Sequence, residues 1–288
     1  MKRLRRSLLY APADQPDLLE KTAGTNADAV VFDLEDTVAP EHRPAARDNI
    51  RDVAGRVDFG EKEVCVRVNG FESSDWLRDV EAAVDADCHA LRLPKVEAAW
   101  QVRTVLEVLE GFGATDVEVL LTIETPRGFL NGGDIVDAAA EFDAVSGLGF
   151  GLADYTTAIG AAGPNVDGGA IRSHLNQQAL SLASAGDLAP IASVYTDIDD
   201  LDGLRTVAEA ARDLGFVGQS VIHPAQVDVV NDVFTPDAET VERLRRLLAA
   251  YDETERNSIS VDGEFLDEPI VERYRRQVER YERVHGDD

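Results

Sequence analysis

Residues 29–36 read AVVFDLED, an apolar run that ends in acidic residues. A run that is apolar at nearly every position is typical of a strand buried on both faces of a parallel sheet. Seven further runs of this kind occur along the chain, at residues 7–12, 63–69, 90–96, 118–125, 144–151, 189–196 and 218–224. We therefore predict eight buried strands.

Longer amphipathic stretches separate these runs and predict helices at residues 16–26, 76–85, 98–111, 171–185 and 201–214. Strands that alternate with helices form a parallel sheet. Eight such units in about 225 residues fit an α/β fold of the closed (β/α)8 TIM-barrel type better than an open doubly wound sheet. The cluster Gly147, Gly149 and Gly151 has the wrong spacing for a nucleotide-binding fingerprint. We interpret it as barrel-strand glycines that admit a close backbone or ligand.

The chain continues beyond the eighth unit with charged helical stretches at residues 237–254 and 268–283. The final ~35 residues are too few to build a core of their own. We therefore predict a catalytic barrel over residues 1–254 and a short C-terminal lid, arm or oligomer contact over residues 255–288.

Acidic residues dominate the composition, since 55 Asp and Glu stand against 28 Lys and Arg and the formal net charge is −27. Such a field repels nucleic acid and anionic membranes, so neither is an expected partner. Four of the basic residues are lysines. An acidic, lysine-poor surface suits a salt-rich cytoplasm and predicts a halophilic source, with an ordinary acidic protein as the alternative.

The cysteine content and the apolar runs exclude several further classes of protein. Two cysteines cannot build a disulfide framework or a thiolate zinc site. No apolar run approaches the roughly 18 residues of a membrane span. The N-terminus is basic and then briefly apolar, but its apolar part is too short for a signal peptide. These features predict a cytoplasmic location.

Polar residues collect on the loops that follow the strands, which is where the chemistry of such a barrel lies. Glu124 terminates an apolar run, so its carboxylate would be largely buried and would need an arginine or a metal as partner. Asp154 ends the adjacent strand, and the two carboxylates could therefore converge on one cation. Oxygen ligands with few histidines favour Mg²⁺ over zinc, with Mn²⁺ as the alternative.

Three further residues near these loops have more than one interpretation. Arg67 could form an ion pair with Asp33 or Glu35, or could clamp a substrate carboxylate or a developing enolate oxygen. Lys95 could be a Schiff-base nucleophile, although a metal site would already supply an electron sink. His223 is interpreted as a loop-ordering residue rather than a general base.

At these residues the sequence resembles the HpcH/HpaI aldolase and citrate lyase β-subunit superfamily, in its CitE-like and malyl-CoA lyase branch. The matching segments are RSLLYAP (residues 6–12), ADAVVFDLEDTV (27–38), VRVN (66–69), LPKVE (93–97), IETPRG (123–128), GLAD (151–154) and IHPAQ (222–226). They run in order over nearly the whole chain, which makes the likeness far more specific than any one motif.

The resemblance implies a trimeric or hexameric barrel enzyme. Its Mg²⁺ would be held by Glu124 and Asp154, and Arg67 would contact the substrate near the metal. We expect three residues to support this site from behind, namely Glu35, Asp36 and Lys95.

The resemblance also implies where the CoA moiety and the lid lie. The region of Arg6 and Pro12 and the segment His223-Pro224 border CoA in relatives. Relatives that cleave CoA thioesters carry a C-terminal lid with a DGxxxDxP-like motif, which here is DGEFLDEP (residues 262–269). Its second aspartate, Asp267, would be the acid/base, often delivered into the site of a neighbouring subunit.

The reaction that this implies is reversible Claisen-type cleavage of a 3-hydroxyacyl-CoA. Malyl-CoA or β-methylmalyl-CoA would give glyoxylate plus acetyl-CoA or propionyl-CoA. The alternatives are a citryl- or citramalyl-CoA lyase, a citrate lyase β subunit acting on a carrier-protein thioester, a malyl-CoA thioesterase and a CoA-free 2-oxo-acid aldolase of the HpcH type. The DGxxxDxP-like tail argues against the last of these. The expected partners are therefore acyl-CoA and oxo-acid substrates and further copies of the chain.

Overall fold

The structure, a computed structural model, describes residues 3–163, 169–254 and 256–286. Eight parallel strands form a closed barrel in sequence order. They are β1 (Ser7–Pro12), β2 (Ala29–Asp33), β3 (Glu63–Arg67), β4 (Ala90–Leu93), β5 (Glu118–Ile123), β6 (Val145–Phe150), β7 (Ala189–Ala192) and β8 (Gly218–Val221). Pairing of β1 with β8, with Leu8 opposite Ser220, closes the barrel. The predicted (β/α)8 TIM barrel is confirmed.

Helices follow the strands along the chain. They are α1 (Pro16–Ala23), α2 (Arg43–Arg56, after a 3-10 turn at Pro40–His42), α3 (Trp76–Asp85), α4 (Ala99–Gly111), α5 (Pro126–Leu130), α6 (Gly132–Ala139), α7 (Leu152–Ala158), α8 (Ala170–Ala185), α9 (Leu201–Leu214) and α10 (Pro224–Phe234). The five predicted helices match α1, α3, α4, α8 and α9. The stretch that forms α5 and α6 contains a proline and three glycines, so its sequence resembles a loop.

The strands begin where the sequence predicts and end earlier. Seven of the eight strands start at the predicted residue, and β6 starts one residue later than predicted. Most strands end one to four residues before the predicted end. The extra residues are still buried in several loops, as Leu34, Val68 and Val96 show. The sequence pattern reports burial, and these buried loop residues therefore made the predicted strands longer than the observed ones.

Inward-facing side chains fill the barrel in layers of different chemistry. At the N-terminal ends of the strands the buried Arg5 guanidinium donates to Glu63, Glu118 and Ser146 at 2.6–2.9 Å. The middle layer is apolar and consists of Leu8, Ala29, Val31, Cys65, Ala90, Leu120 and Ile191. Charged residues return at the C-terminal ends of the strands. Charged side chains therefore lie at both ends of the barrel. In this fold the N-terminal end generally serves stability and the C-terminal end carries the active site.

Glycines of β6 and the loop after it make room for side chains of neighbouring strands. A Cβ on Gly149 would collide with the Arg92 guanidinium, and one on Gly151 would collide with the Glu124 carboxylate. The sequence predicted close approach of a backbone or a ligand here. The structure shows that charged side chains use the space instead.

The contacts divide the chain into two compact units, Met1–Asn231 and Asp232–Asp288. The second unit contains α11 (Ala238–Asp252), a hairpin of β9 (Ser258–Val261) and β10 (Glu264–Asp267), and α12 (Glu268–His285). Its core is formed by Val241, Leu244, Leu247, Leu266, Val271 and Val278. Because α11 shares this core with α12, the division falls earlier than the predicted boundary after residue 254. None of the described helices has the length and apolarity needed to cross a membrane.

Candidate active site

Seven charged side chains gather where strands β2 to β6 end, and we call them the mouth cluster. They are Asp33, Glu35, Asp36, Arg67, Lys95, Glu124 and Asp154. The C-terminal ends of parallel strands meet at one end of a barrel, which is why residues far apart in sequence converge here. The cluster contains six of the residues predicted from the sequence, together with Asp33.

Arg67 is the best-paired member of the mouth cluster. Its Nε and Nη2 donate to the two carboxylate oxygens of Asp33 at 2.6 and 2.7 Å. Its Nη1 lies 2.9 Å from Glu35 and 3.2 Å from Asp36. Burial alone would raise the pKa of Asp33, but the charge of Arg67 and the hydrogen bonds from Arg67, Thr37 and the Glu35 N–H together hold that pKa below its usual value. Arg67 thus forms the ion pairs with Asp33 and Glu35 that were one of its two interpretations. Its Nη1 makes longer contacts than Nε and Nη2 do.

Lys95 is an ion-pair partner rather than a free amine. Its Nζ donates to Glu35 at 2.5 Å and lies 3.4 Å from Asp36. Burial would lower the pKa of Lys95, but the hydrogen bond to Glu35 and the charges of the surrounding carboxylates together raise it above its ordinary value. A protonated amine is no nucleophile, so the geometry gives the Schiff-base alternative no support. Lys95 also adopts a left-handed backbone conformation, with φ of 50°.

Glu124 is buried, with 2% of its surface exposed, and has no cationic partner among the described residues. Its Oε1 accepts a hydrogen bond of 2.8 Å from the backbone N–H of Lys95. Its Oε2 lies over Gly151. Burial and the nearby charge of Asp154 raise the pKa of Glu124 to about 7. A buried carboxylate needs an arginine or a metal as partner, and in the described chain Arg67 acts on Glu124 through its charge without forming an ion pair with it.

Asp154 is the second acid without a cationic partner in the described part of the chain. Burial, followed by the charge of Asp36, raises its pKa above the usual value. The mouth cluster holds five carboxylates against two cations, Arg67 and Lys95, with the buried Arg92 beneath them. Five carboxylates against these two cations leave a formal excess of three negative charges, which one bound divalent ion would reduce to one.

The donor set fits Mg²⁺ better than zinc. Within residues 3–163, 169–254 and 256–286, no cluster of three or more His, Cys, Asp and Glu side chains could hold an ion. A site with two protein carboxylates suits Mg²⁺, which usually keeps several waters or substrate oxygens. Glu124 and Asp154 are hard oxygen donors whose negative charge lacks a partner in the described chain. They are the residues that would hold the metal.

Arg92 and Tyr10 also face into the barrel here, and the sequence interpretation gave neither of them a role. The Arg92 guanidinium is buried and donates to Thr122 Oγ1 at 2.9 Å and to Ser220 Oγ at 3.3 Å. The Cζ atoms of Arg67 and Arg92 lie 5.2 and 5.6 Å from the centroid of the Tyr10 ring. The signal for Arg92 was its place among apolar neighbours of a strand, where a charge is unusual.

A cavity of about 390 Å³ opens beside the mouth cluster. Its lining includes Lys95 of the mouth cluster, Thr125 and the rings of Phe71 and Trp100. The two rings are in edge-to-face contact, with centroids 5.0 Å apart. The volume lies in the range of small-molecule sites.

The residues predicted to border CoA lie at two different ends of the barrel. Pro12 ends β1 beside Asp33, on the side of the mouth cluster. His223 and Pro224 follow β8 at the same end, and His223 Nδ1 accepts the Ala225 N–H at 3.2 Å, a contact within the loop. Arg6 precedes β1 and lies at the opposite end.

The Arg6 side chain is also already paired. Its Nε and Nη2 donate to Asp28 at 2.9 and 2.7 Å. The geometry therefore gives no support to a CoA contact by Arg6, and the region of Arg6 and Pro12 is not one continuous surface.

Asp267 lies in the second unit, at the end of the hairpin. Its Oδ1 accepts the backbone N–H of Ile270 at 3.2 Å, so it caps α12. Its acid/base role stays a prediction, and the cap is a structural role that the sequence interpretation did not include.

The fold and the mouth cluster define a (β/α)8-barrel enzyme with a carboxylate-rich site at the C-terminal ends of its strands. The chain belongs to the HpcH/HpaI aldolase/citrate lyase family, whose match covers residues 6–224. It is a carbon–carbon lyase of this family.

Three similar proteins illustrate the range of the family. The chain is 35% identical to a (3S)-malyl-CoA thioesterase of Cereibacter sphaeroides, over 91% of this chain and 89% of the relative. It is 30% identical to the L-malyl-CoA/beta-methylmalyl-CoA lyase of Rhodobacter capsulatus, over 87% and 85%. The crystal structure of CitE from Mycobacterium tuberculosis in complex with magnesium, acetoacetate and coenzyme A superimposes with a TM-score of 0.79 at 31% identity, over 96% and 98%.

Proposed function

We propose that the protein is a Mg²⁺-dependent lyase that reversibly cleaves a 3-hydroxyacyl-CoA bearing a carboxylate, to give a 2-oxo acid and an acyl-CoA. The observation that carries this proposal is the buried Glu124, which has no cation partner in the described chain and lies within the field of Asp154. The relatives named above act on malyl-CoA and β-methylmalyl-CoA, which are therefore the first substrates to test. Citryl-CoA and citramalyl-CoA are the next candidates.

Glu124 and Asp154 would hold the metal. Bound there, Mg²⁺ would chelate oxygens of the hydroxy acid and polarise the carbonyl that forms on cleavage. Magnesium in the similar CitE structure supports this assignment.

The bond that breaks joins the hydroxyl carbon to the α-carbon of the thioester. The hydroxyl group loses its proton, a carbonyl forms, and the electron pair of the broken bond becomes the enolate of the acyl-CoA. Protonation of that enolate carbon completes the reaction, so no net proton is gained or lost.

Arg67 would steady the enolate oxygen. Asp33 fixes two of its nitrogens in a bidentate pair, which sets the plane of the guanidinium. Nη1 faces Glu35 and the exposed side chain of Asp36, so it can exchange an acidic partner for the developing negative charge.

Asp267 would protonate the enolate on cleavage and remove the α-proton in the condensing direction. A carboxylate is a weak base for a carbon acid, so it needs a closed and drier site. A lid segment supplied by a neighbouring subunit meets that need, and we therefore also propose a homotrimer or homohexamer. Pro12 and the segment His223-Pro224 would border the CoA moiety.

The first experiment uses purified protein in molar KCl with Mg²⁺, glyoxylate and either acetyl-CoA or propionyl-CoA. Mass spectrometry follows the condensed thioester and free CoA. We expect a thioester that forms with Mg²⁺ and is absent with EDTA. Absence of a thioester with both donors contradicts the proposal and points to a carrier-protein substrate or a CoA-free aldolase.

Hydrolysis is the second candidate, because the first relative above is named a thioesterase. It would use the same metal site and differ in the access of water to the thioester. Free CoA together with malate in the same experiment would identify it. The cytoplasmic location and the halophilic source stay predictions from the composition.

A further inference from the structure

Arg92 is buried inside the barrel and forms no ion pair with an acidic group of the described chain. Its guanidinium is 4% exposed, and its partners are the neutral hydroxyls of Thr122 and Ser220. An arginine stays charged in a protein, and neutral hydroxyls do not balance a buried charge. The other buried arginine of the barrel interior, Arg5, is paired with Glu63 and Glu118. Arg92 therefore has no carboxylate at ion-pair distance and can accept one from a ligand.

The position of Arg92 places it directly under the mouth cluster. Arg92 and Arg67 are partners in the register of β3 and β4, so both side chains rise from the same layer of the barrel. Arg92 donates to Thr122, a residue of β5 two positions before Glu124, which directly follows that strand. Alternate residues of a strand face the same side and are about 6–7 Å apart. Thr122 and the guanidinium bonded to it therefore lie deeper in the barrel than Glu124.

Tyr10 adds a second donor at the same place. Its ring lies between the guanidinium groups of Arg67 and Arg92, and its hydroxyl has no hydrogen-bond partner among the described residues. Gly149 leaves the space that the Arg92 guanidinium occupies. The Arg92 guanidinium has hydroxyl acceptors but no carboxylate acceptor, and the Tyr10 hydroxyl can donate a further hydrogen bond to the same ligand.

We propose that Arg92, with the Tyr10 hydroxyl, binds a second carboxylate on the oxo-acid half of the substrate. This inference rests on the proposed lyase function and refines its substrate, because it favours a thioester whose cleavage releases a 2-oxo dicarboxylic acid. Within the set of candidates, it selects the citryl type over the malyl type. Arg67 does not fill this role, since Asp33 and Glu35 already neutralise it.

The test compares pyruvate with oxaloacetate, which differ only by the second carboxylate. Calorimetry with Mg²⁺ in molar KCl measures the affinity of each acid for the wild-type protein and for Arg92→Met and Arg92→Lys. Mass spectrometry with acetyl-CoA measures the rate of thioester formation with each acid and with glyoxylate. Arg103→Met is the matched control, because Arg103 is an exposed arginine of α4 paired with Glu141.

We expect the wild-type protein to bind oxaloacetate at least ~10-fold more tightly than pyruvate, as befits a charge-assisted pair. Arg92→Met should remove this difference, Arg92→Lys should keep part of it, and Arg103→Met should keep all of it. Thermal unfolding of Arg92→Met is measured alongside, to show that the variant is folded when its affinities are determined.

Two results would overturn the inference: a wild-type protein that does not prefer oxaloacetate, or an Arg92→Met variant that keeps the preference. If a thioester still forms with glyoxylate in those cases, the proposed lyase function stands, and only the proposed binding of a second carboxylate by Arg92 is wrong. If no thioester forms with any acid while the Arg92-dependent preference persists, the subsite stands and the lyase function is wrong.

Discussion

At the scale of single residues, Gly151 lies against Glu124 and leaves no space there for a larger side chain. A Cβ at this position would collide with the carboxylate and Cβ of Glu124. We expect Gly151→Ala to displace Glu124 and to weaken Mg²⁺ binding about 10- to 100-fold, as loss of support behind a metal ligand does. Calorimetric titration with Mg²⁺ measures the effect.

Gly133→Ala is the matched control for this substitution. Gly133 lies in α6 with open space around the position of a Cβ, so alanine should leave Mg²⁺ binding unchanged and stabilise the helix by about 0.5–1 kcal/mol. If Gly151→Ala binds Mg²⁺ as tightly as Gly133→Ala does, Glu124 is not a ligand whose position depends on Gly151.

The pKa of Glu124 predicts how metal binding depends on pH. Burial and the charge of Asp154 raise this pKa to about 7, so the carboxyl group is mostly protonated at pH 6 and mostly ionised at pH 8. Mg²⁺ binds the ionised form, and its apparent affinity should rise up to tenfold per pH unit below about 7 and then level off. Titrations at pH 6, 7 and 8 should also detect proton release on binding. The same affinity at pH 6 and pH 8 would count against Glu124 as a ligand.

At the scale of secondary structure, helix caps separate the structural role of Asp267 from its proposed chemistry. Asp267 caps α12 through the Ile270 N–H, and Asp237 caps α11 in the same way through the Thr240 N–H at 2.8 Å. Asp267→Ser keeps an oxygen that can cap the helix but removes the carboxylate. We expect it to retain the thermal stability of the wild type and to lose turnover.

Two alanine variants complete this comparison. Asp267→Ala should lose turnover and in addition about 1 kcal/mol of stability, because its cap is removed. Asp237→Ala should lose a similar amount of stability and keep its activity. Thermal unfolding and the thioester assay measure the two effects. Near-normal turnover in Asp267→Ser would remove Asp267 from the mechanism.

At the scale of the whole molecule, the net charge of −27 predicts dependence on salt. Ions screen the mutual repulsion of exposed acids, since the Debye length falls to about 3 Å at 1 M salt. We expect far-UV circular dichroism to show partial loss of helix when KCl is removed and its recovery when KCl is restored. Sucrose at matched osmolality is the control, because it does not screen charge. An identical spectrum with and without molar KCl would refute the halophilic interpretation.

The sequence by itself determined the barrel and the residues at its mouth. The strands start at or within one residue of the predicted positions because local apolar runs mark them, and the polar residues after them lie at one end because parallel strands share a direction. Glu124 could be selected on this basis alone, since it follows the run VLLTI (residues 119–123), which is apolar except for Thr122.

Only the tertiary structure decided which charges are neutralised. Arg67 is paired with Asp33, 34 residues away in sequence, whereas Glu124 and Arg92 have no partner of opposite charge in the described chain. It also placed Arg6 at the far end of the barrel and joined α11 to the C-terminal unit. Such pairings depend on the register and closure of eight strands, and local sequence patterns carry no information about contacts at that range.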